Sequence, residues 1–378
     1  MMSEAFIVSA VRTPVGMGRP NGALAPLVPV DLTALIMQEA LRRADVDASQ
    51  IEDAIWGCVT PLGDQGANLG RLSVLKAGFP PKVPAVTINR MCGSGQQAVN
   101  FAAQVILAGD MDLILAGGTE MMSHQPLGAD WPESWPEGFP YEMVHQGISA
   151  ELMAEKWDLS RDELDDFAYQ SHARAMHAIQ HGHFESQILP IERPDGEVVT
   201  TDEGVRMPPN REKMSTLRPV FKPDGVVTAG NSSQLSDGVA ALVLASSRAV
   251  ERFGLKPLVR VVARAVVGSD PTLMLDAPIP ATRQVLQRAG LTLDDMDVIE
   301  INEAFASVVL AWKSTLHPDM ERVNPNGGAI ALGHPLGATG AVLMTKLIHE
   351  LLRTGGRYGL QTMCIGHGMA TATVLERV

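Results

Sequence analysis

An internal repeat is the feature of this chain that most constrains its fold. Residues 40–57 predict a helix, an acidic turn and a buried strand, and residues 285–302 predict the same succession. Shorter echoes of the same kind pair residues 112–118 with 359–366 and residues 95–99 with 337–342. The repeating unit is too long for a solenoid, so the sequence indicates two related halves.

Each half alternates apolar strands with apolar helices, which indicates an α/β fold with mostly parallel, buried sheets. A stretch of different character, rich in Pro, Asp and Glu, lies between the halves. It contains one clear helix, whose start is predicted by a capping box from Ser160 to Glu163. We therefore predict a first half at 1–121 and 235–256, an inserted loop domain at 122–234 that covers a cleft, and a second half at 257–378.

Charge and cysteine content exclude several functions. The net charge of −13 argues against nucleic acid as the main partner, since phosphate backbones require a basic surface. Three cysteines in 378 residues indicate reduced thiols, and so a cytoplasmic protein, rather than a disulfide framework. We see no ligand spacing typical of a metal site, no secretory signal and no apolar run long enough to span a bilayer.

Cys92 lies where an apolar strand meets a helix. The run 86–88 precedes it, Gly93 and Gly95 follow it, and an apolar helical pattern begins directly afterwards. Strand, tight turn and helix form the geometry of a nucleophile elbow, and helix N–H groups favour a thiolate. The alternative is that Cys92 is a small buried hydrophobic residue, as most isolated cysteines are.

Two further side chains could act together with Cys92 in a reactive site. His334, between Gly333 and Pro335, lies in a rigid glycine-rich loop that suits a group meeting a substrate, although an isolated histidine is often structural. Cys364 ends an apolar strand, and core packing is an equal alternative for it. Cys58 lacks such a turn, and we predict a structural role for it.

Several polar segments leave two interpretations open. Asn302 ends an apolar strand, where it could hold an ordered water or cap a helix. The small polar loop 228–233 could admit a ligand close to the backbone or form a plain surface turn. The carboxylates at 162, 163, 165 and 166 fit a solvated helix face.

Along nearly its whole length, from residue 10 to residue 366, the chain resembles the thiolases. The motifs that carry the resemblance occur in the family's order and spacing: Cys92-Gly93-Ser94-Gly95, Asn302-Glu303-Ala304-Phe305, Gly333-His334-Pro335 and Cys364-Ile365-Gly366. The chain departs from the family at Gln146, where many members have Met, at 275–277, and at His367, where many have Gly. These departures affect substrate preference more than chemistry.

The resemblance implies a role for each matched residue. Cys92 would accept the acyl group, His334 would take its proton and later hold the thioester oxygen, and Cys364 would exchange a proton with acetyl-CoA or CoA. Asn302 would fix a water that completes an oxyanion hole with His334. The N–H groups of Cys92 and Gly366 would form a second oxyanion hole.

It also implies substrate contacts and an architecture. Arg218 and Ser233 would contact coenzyme A, Ala304 and Phe305 would line the pantetheine tunnel, and His145 would lie near the acyl group. Coenzyme A and acyl-CoA would be substrates, with no permanently bound cofactor. The implied fold has two αβαβα halves with mixed five-stranded sheets and an inserted loop domain, assembled as a homodimer or homotetramer.

The implied reaction is cleavage of 3-oxoacyl-CoA by coenzyme A, which gives acetyl-CoA and a shortened acyl-CoA through an acyl-Cys92 intermediate. Condensation of two acetyl-CoA molecules to acetoacetyl-CoA is the alternative over the same residues. A decarboxylating condensing enzyme of the same fold would lack a second cysteine at the Cys364 position. A non-catalytic acyl or lipid carrier is the remaining alternative.

Overall fold

The computed structural model describes residues 4–378, which form twelve strands and eleven α-helices. The strands are β1 (Ala5–Arg12), β2 (Gly16–Met17), β3 (Asp53–Gly57), β4 (Ala85–Ile88), β5 (Leu113–Met121), β6 (Ile191–Glu192), β7 (Val198–Val199), β8 (Ser236–Ser246), β9 (Val259–Gly268), β10 (Val298–Ile301), β11 (Tyr358–Ile365) and β12 (Met369–Arg377). The helices are α1 (Pro29–Ala44), α2 (Leu69–Lys76), α3 (Ser94–Ala108), α4 (Gln146–Lys156), α5 (Arg161–Gln180), α6 (Arg211–Ser215), α7 (Ser247–Phe253), α8 (Pro278–Ala289), α9 (Ala306–Leu316), α10 (Ala329–Leu332) and α11 (Leu336–Thr354).

The two halves repeat one strand order. In the first half the order is β4-β3-β5-β8-β1, in which β4, β3 and β5 are parallel and β8 is antiparallel to both its neighbours. In the second half β10 and β11 are parallel, and β12 is antiparallel to β11 and β9. The place of β4 is taken there by one residue, Val323, which forms an isolated parallel bridge with Ile299. The first half thus has the five strands expected, and the second has four with a single bridge.

The two sheets are continuous. Strands β1 and β9 pair through Phe6 with Arg260 and Ile7 with Val259, so that ten strands form one sheet. Pairing between the edges of the two halves is not encoded in any local sequence pattern.

Helices form three layers around these sheets. Helices α1 and α2 pack on the outer face of the first half, and α8 and α9 pack on the outer face of the second. Helices α3 and α11 lie between the sheets and share one apolar core. Residues on nearly every side of α11 are buried, as expected for a helix that is apolar all round.

The starts of α3 and α11 meet at glycines. A Cβ on Gly95 would lie 2.9 Å from the backbone nitrogen of Ala341, and a Cβ on Gly340 would lie 2.2 Å from that of Gln96. Only glycine allows such an approach of two backbones. The contact brings the residues that precede each helix, Cys92 and His334, to the same place in the molecule.

The segment between β5 and β8 contains α4, α5, α6 and the small β6–β7 hairpin. The predicted capping box at Ser160 and Glu163 is confirmed as the start of α5. A buried ion pair, 2.6 Å between Arg12 Nη1 and Asp202 Oδ1, ties the segment to β1. Among residues 4–378, none of the helices combines the length and the apolar character that crossing a membrane requires.

Candidate active site

A cavity of about 160 Å³ lies at the starts of α3 and α11. Both halves and the segment between β5 and β8 contribute to its wall. Eight of the residues selected from the sequence line it: Cys92, His145, Ser233, Ala304, Phe305, His334, Cys364 and Gly366. Residues separated by more than 200 positions thus share one pocket.

Cys92 lies on a strained turn between β4 and α3. Met91, directly before it, has a φ of 45°, and a Cβ on Gly93 would lie 2.3 Å from the Ile365 side chain. Burial raises the pKa of the Cys92 thiol to about 11, against the effect of the N–H groups of Gly366 and of Cys92 itself. The thiol is therefore protonated at neutral pH and needs a base to become a nucleophile.

His334 supplies a base in the correct tautomer. Its Nδ1 lies 2.6 Å from Thr339 Oγ1, and that hydroxyl donates its proton to the Pro335 carbonyl over 2.9 Å. Because a hydroxyl has only one proton to give, the ring must donate from Nδ1, which leaves the lone pair on Nε2. Burial lowers the pKa of His334 to about 4, so the imidazole is neutral.

Asn302 faces the same nitrogen. Its Nδ2 lies 3.4 Å from His334 Nε2, and its buried Oδ1 has no hydrogen-bond partner within residues 4–378. The alternative that Asn302 caps a helix is wrong, since α9 begins only after Phe305. A buried amide oxygen without a partner is suited to bind a small polar group such as water.

Cys364 is the last residue but one of β11, where it pairs with Ala370 of β12. Burial raises the pKa of its thiol, and the nearby Cys92 raises it further. Both thiols line the same cavity. Cys58 is buried and does not line this cavity, in agreement with the structural role predicted for it.

The polar loop 228–233 forms part of the cavity wall, so it is not a plain surface turn. Its Asn231 side chain accepts from the Thr228 N–H and donates to Asp165, and Ser233 N–H donates to the Ala304 carbonyl over 2.9 Å. These bonds hold Ser233 in the wall of the cavity.

His145 and Arg218 differ in their relation to the cavity. His145 caps the start of α4 and stacks on Phe221 with ring centroids 5.3 Å apart. Arg218 is exposed and does not line the cavity. A neighbouring cavity of about 540 Å³, which Arg206 and Lys213 line, shares Gln234 with the first.

Sequence reasoning missed the residues that orient His334. Thr339 fixes the tautomer of the His334 ring, and the backbone N–H of His334 donates to Ser236 Oγ and to the Gln234 carbonyl. A weak signal existed for Thr339, which is a hydroxyl residue in the first turn of a helix that begins just after the histidine. None existed for Ser236, which lies about a hundred positions away.

Comparison with known proteins identifies the family. The thiolase N-terminal domain matches residues 5–248, and the thiolase C-terminal domain matches residues 255–377. The chain belongs to the thiolase family. Its members are acyltransferases, and the fold and the family predicted from the sequence are confirmed.

Thiolases of known name and structure resemble the whole chain. A steroid 3-ketoacyl-CoA thiolase of Mycobacterium tuberculosis is 47% identical, over 100% of this chain and 95% of its own length. A 3-ketoacyl-CoA thiolase of Bacillus subtilis is 43% identical, over 99% of this chain and 100% of its own. The crystal structure of the Bacillus anthracis acetyl-CoA acetyltransferase superposes with a TM-score of 0.92 at 38% identity, covering 100% of this chain and 99% of that one.

Proposed function

We propose that this thiolase cleaves 3-oxoacyl-CoA with coenzyme A to give acetyl-CoA and a shortened acyl-CoA. One observation carries the proposal. Two thiols and a neutral imidazole, from opposite halves of the chain, line a single cavity. The 3-ketoacyl-CoA thiolases among its relatives support the degradative direction.

The first stage transfers the acyl group to Cys92. As its sulfur attacks the 3-oxo carbon, the thiol proton passes to Nε2 of His334. The C2–C3 bond then breaks, the electron pair stays on C2 of the departing acetyl-CoA, and Cys364 donates a proton to that carbon. Because the Cys92 thiol and the His334 imidazole both start neutral, proton transfer and attack must be coupled.

The second stage transfers the acyl group to coenzyme A. Cys364, now a thiolate, takes the proton of the incoming CoA thiol, whose sulfur attacks the acyl-Cys92 carbonyl. The C–S bond to Cys92 breaks, and His334 returns its proton to that sulfur. Each group ends in its starting protonation state, which predicts ping-pong kinetics.

Developing oxyanions meet fixed donors in both stages. We infer that the protonated Nε2 of His334, with a water held by Asn302, stabilises one thioester oxygen. The N–H groups of Cys92 and Gly366 would stabilise the other, and their proximity to the Cys92 thiol supports this. The unpartnered Asn302 Oδ1 supports the first.

Coenzyme A would enter as a substrate, with no cofactor held permanently. Ser233, Ala304 and Phe305 would contact the pantetheine arm, and His145 would lie near the acyl group, as their places in the cavity wall support. The exposed Arg218 would contact the phosphates from outside. The wider cavity that Arg206 and Lys213 line offers positive charge for the nucleotide end.

We also propose domain boundaries, a location and an oligomeric state for this chain. The chain would divide into halves at 1–121 with 235–256 and at 257–378, with the insertion at 122–234. The protein would be cytoplasmic, and it would form a homodimer or homotetramer. Among residues 4–378 no strand pairs with the outer edge of β4, and Val86 there is 43% exposed, which supports oligomerisation. Light scattering after size exclusion would give the subunit number.

Intact-mass measurement across a panel of 3-oxoacyl-CoAs of increasing length tests the reaction. We expect one acyl group on Cys92 in the absence of coenzyme A and its loss when coenzyme A is added. A wild-type chain that binds acyl-CoA without becoming acylated would indicate a carrier instead.

The same panel separates the remaining alternatives. Turnover limited to acetoacetyl-CoA would indicate the biosynthetic reaction. Incorporation of malonyl units would indicate a decarboxylating enzyme. Thiolysis of longer 3-oxoacyl-CoAs would support the degradative proposal.

A further inference from the structure

An aromatic cluster lies beside the turn that carries Gly366. The strap 126–145 starts next to Leu127 and ends at His145, both of which line the reactive cavity. Between them, Trp131 and Trp135 contact His367, with ring centroids 6.1 and 5.6 Å from the imidazole. The second contact is edge-to-face at 86°.

His367 adopts an unusual backbone conformation. Its φ of 64° lies in the left-handed region, which glycine enters most readily, so the imidazole is present at a cost in backbone strain. It directly follows Gly366, whose N–H faces the Cys92 thiol. The His367 side chain is therefore attached to the residue that follows an N–H group of the reactive cavity.

Two polar atoms in this cluster have no partner. Nδ1 of His367 and Oδ1 of Asp130 are both shielded from solvent and make no hydrogen bond within residues 4–378. Asp130 adjoins Trp131, whose ring contacts His367, and its carboxylate opposes the lowering of the His367 pKa by burial. Buried polar atoms without partners are costly, and a bound ligand would satisfy them.

We propose that His367 and Asp130, between Trp131 and Trp135, bind a hydroxyl group on a ring-bearing acyl chain. This inference rests on the proposed thiolysis and names its substrate class. A hydroxyl can accept from the imidazole and donate to the carboxylate at once. A keto oxygen would leave the carboxylate unpaired, a ligand carboxylate would be repelled by it, and a plain alkyl chain would leave both atoms unpaired. The indole faces suit a flat ring.

Matched substrates test the inference. Thiolysis of a 3-oxoacyl-CoA with a hydroxylated six-membered ring at the acyl end is compared with thiolysis of its deoxy analogue. We expect wild-type kcat/KM to favour the hydroxylated substrate by at least about tenfold, because the deoxy analogue leaves both buried atoms unpaired. The ratio of the two values is the readout, since general damage to the site lowers both together.

Two variants remove the proposed partners separately. His367→Gly fits the backbone conformation and deletes the imidazole, and Asp130→Ala deletes the carboxylate that would accept the hydroxyl proton. Each is expected to bring the ratio to within about twofold of one, since each removes one of the hydroxyl's two partners. Tyr141→Phe, at an exposed residue of the same strap, is expected to keep the wild-type ratio.

The outcomes separate this inference from the proposed function. If wild-type protein shows no acyl-Cys92 and no thiolysis, the proposed function itself fails. If thiolysis is present but the wild-type ratio is near one, or both variants keep the wild-type ratio, the hydroxyl site is refuted. An ordered water at these atoms, with no ligand role, would give that second result.

Discussion

The starts of α3 and α11 occupy the same place in the two halves, yet they carry different chemistry. Cys92 and His334 each lie two residues before their helix, and the two helices pack together through glycines. Around Cys92 the nearby groups are backbone N–H donors, whereas His334 is buried with the side chains of Thr339, Ser236 and Asn302. Duplication therefore supplied two equivalent positions, and their surroundings made one suited to nucleophilic attack and the other to proton transfer.

Replacing Cys92 should have the largest effect on kcat. Cys92→Ala removes the sulfur that forms the acyl intermediate, so we expect kcat to fall by at least about 10⁴-fold. Thiolysis of acetoacetyl-CoA, together with the mass of the protein after incubation with substrate, checks this. Turnover or an acyl adduct that survives in Cys92→Ala would show that the two positions do not differ as proposed.

Replacing His334 should lower kcat less than replacing Cys92 does. His334→Gln leaves the Cys92 thiol, with its pKa of about 11, without a base at neutral pH, and we expect kcat to fall by about 10²–10⁴-fold. Alkylation of Cys92 by iodoacetamide at pH 7 should slow in parallel. It should recover as the pH rises toward 11, because hydroxide then forms the thiolate. A rate unchanged at pH 7 would mean that Cys92 is activated without His334.

The two helices also differ deeper in the core. Nine residues after Gly337, the buried Lys346 pairs with Glu300 over 2.9 Å, whereas the matching residue of α3 is the exposed Gln104. Lys346→Met leaves a buried carboxylate without its partner, so we expect a loss of about 3–5 kcal/mol in unfolding free energy at pH 8. Lys76→Met, which breaks an exposed pair with Asp31, should change it by less than about 1 kcal/mol.

The loss of unfolding free energy in Lys346→Met should grow as the pH rises. Burial raises the pKa of Glu300 to about 7 from 4.5, and Lys346 opposes the rise. The folded protein therefore holds a proton that the unfolded chain has lost, and stability falls as pH rises through 7. In Lys346→Met the pKa rises further, so urea unfolding at pH 5 and pH 8 should show a steeper fall than in wild type. Equal slopes would mean that Lys346 does not act on Glu300.

The glycine contact that joins the two helix starts can be tested directly. A Cβ on Gly340 meets backbone that cannot move aside, so Gly340→Ala should cost about 3 kcal/mol in unfolding free energy and displace Cys92 from His334. Gly268→Ala, where a Cβ meets only one atom at 4.0 Å, is the control. Equal stability of the two variants in urea unfolding would show that the close approach is not required.

The sequence predicted local features of this arrangement well. The apolar run and glycines around Cys92 determine a strand, a turn and a helix without help from distant residues, and the internal repeat indicated that a second such unit exists. The join between β1 and β9 could not be predicted, because it depends on how the two sheet edges meet. Asp165, expected on a solvated face, is buried, and its carboxylate binds Arg161 of the same helix and Asn231 of the loop 228–233, a contact that no local pattern shows.

The tautomer of His334 could not be predicted from the sequence either. Disturbing it should give the smallest change in activity among these variants. Thr339→Val removes the acceptor for the Nδ1 proton, so the ring can place its proton on Nε2 and lose its function as a base. We expect kcat/KM to fall about tenfold, which corresponds to one lost buried hydrogen bond. Thr339→Ser should restore most of it.

A matched threonine on the same helix separates tautomer control from packing. Thr345 is buried and donates to the Ala341 carbonyl four residues earlier, as Thr339 does to Pro335, but it does not contact His334. Thr345→Val should therefore reproduce any change in stability while leaving kcat/KM and the rate of Cys92 alkylation unchanged. Equal losses of activity in both valine variants would mean that the hydroxyl of Thr339 acts only through the helix. A loss confined to Thr339→Val would mean that the second half differs from the first because one hydroxyl fixes the proton on an imidazole.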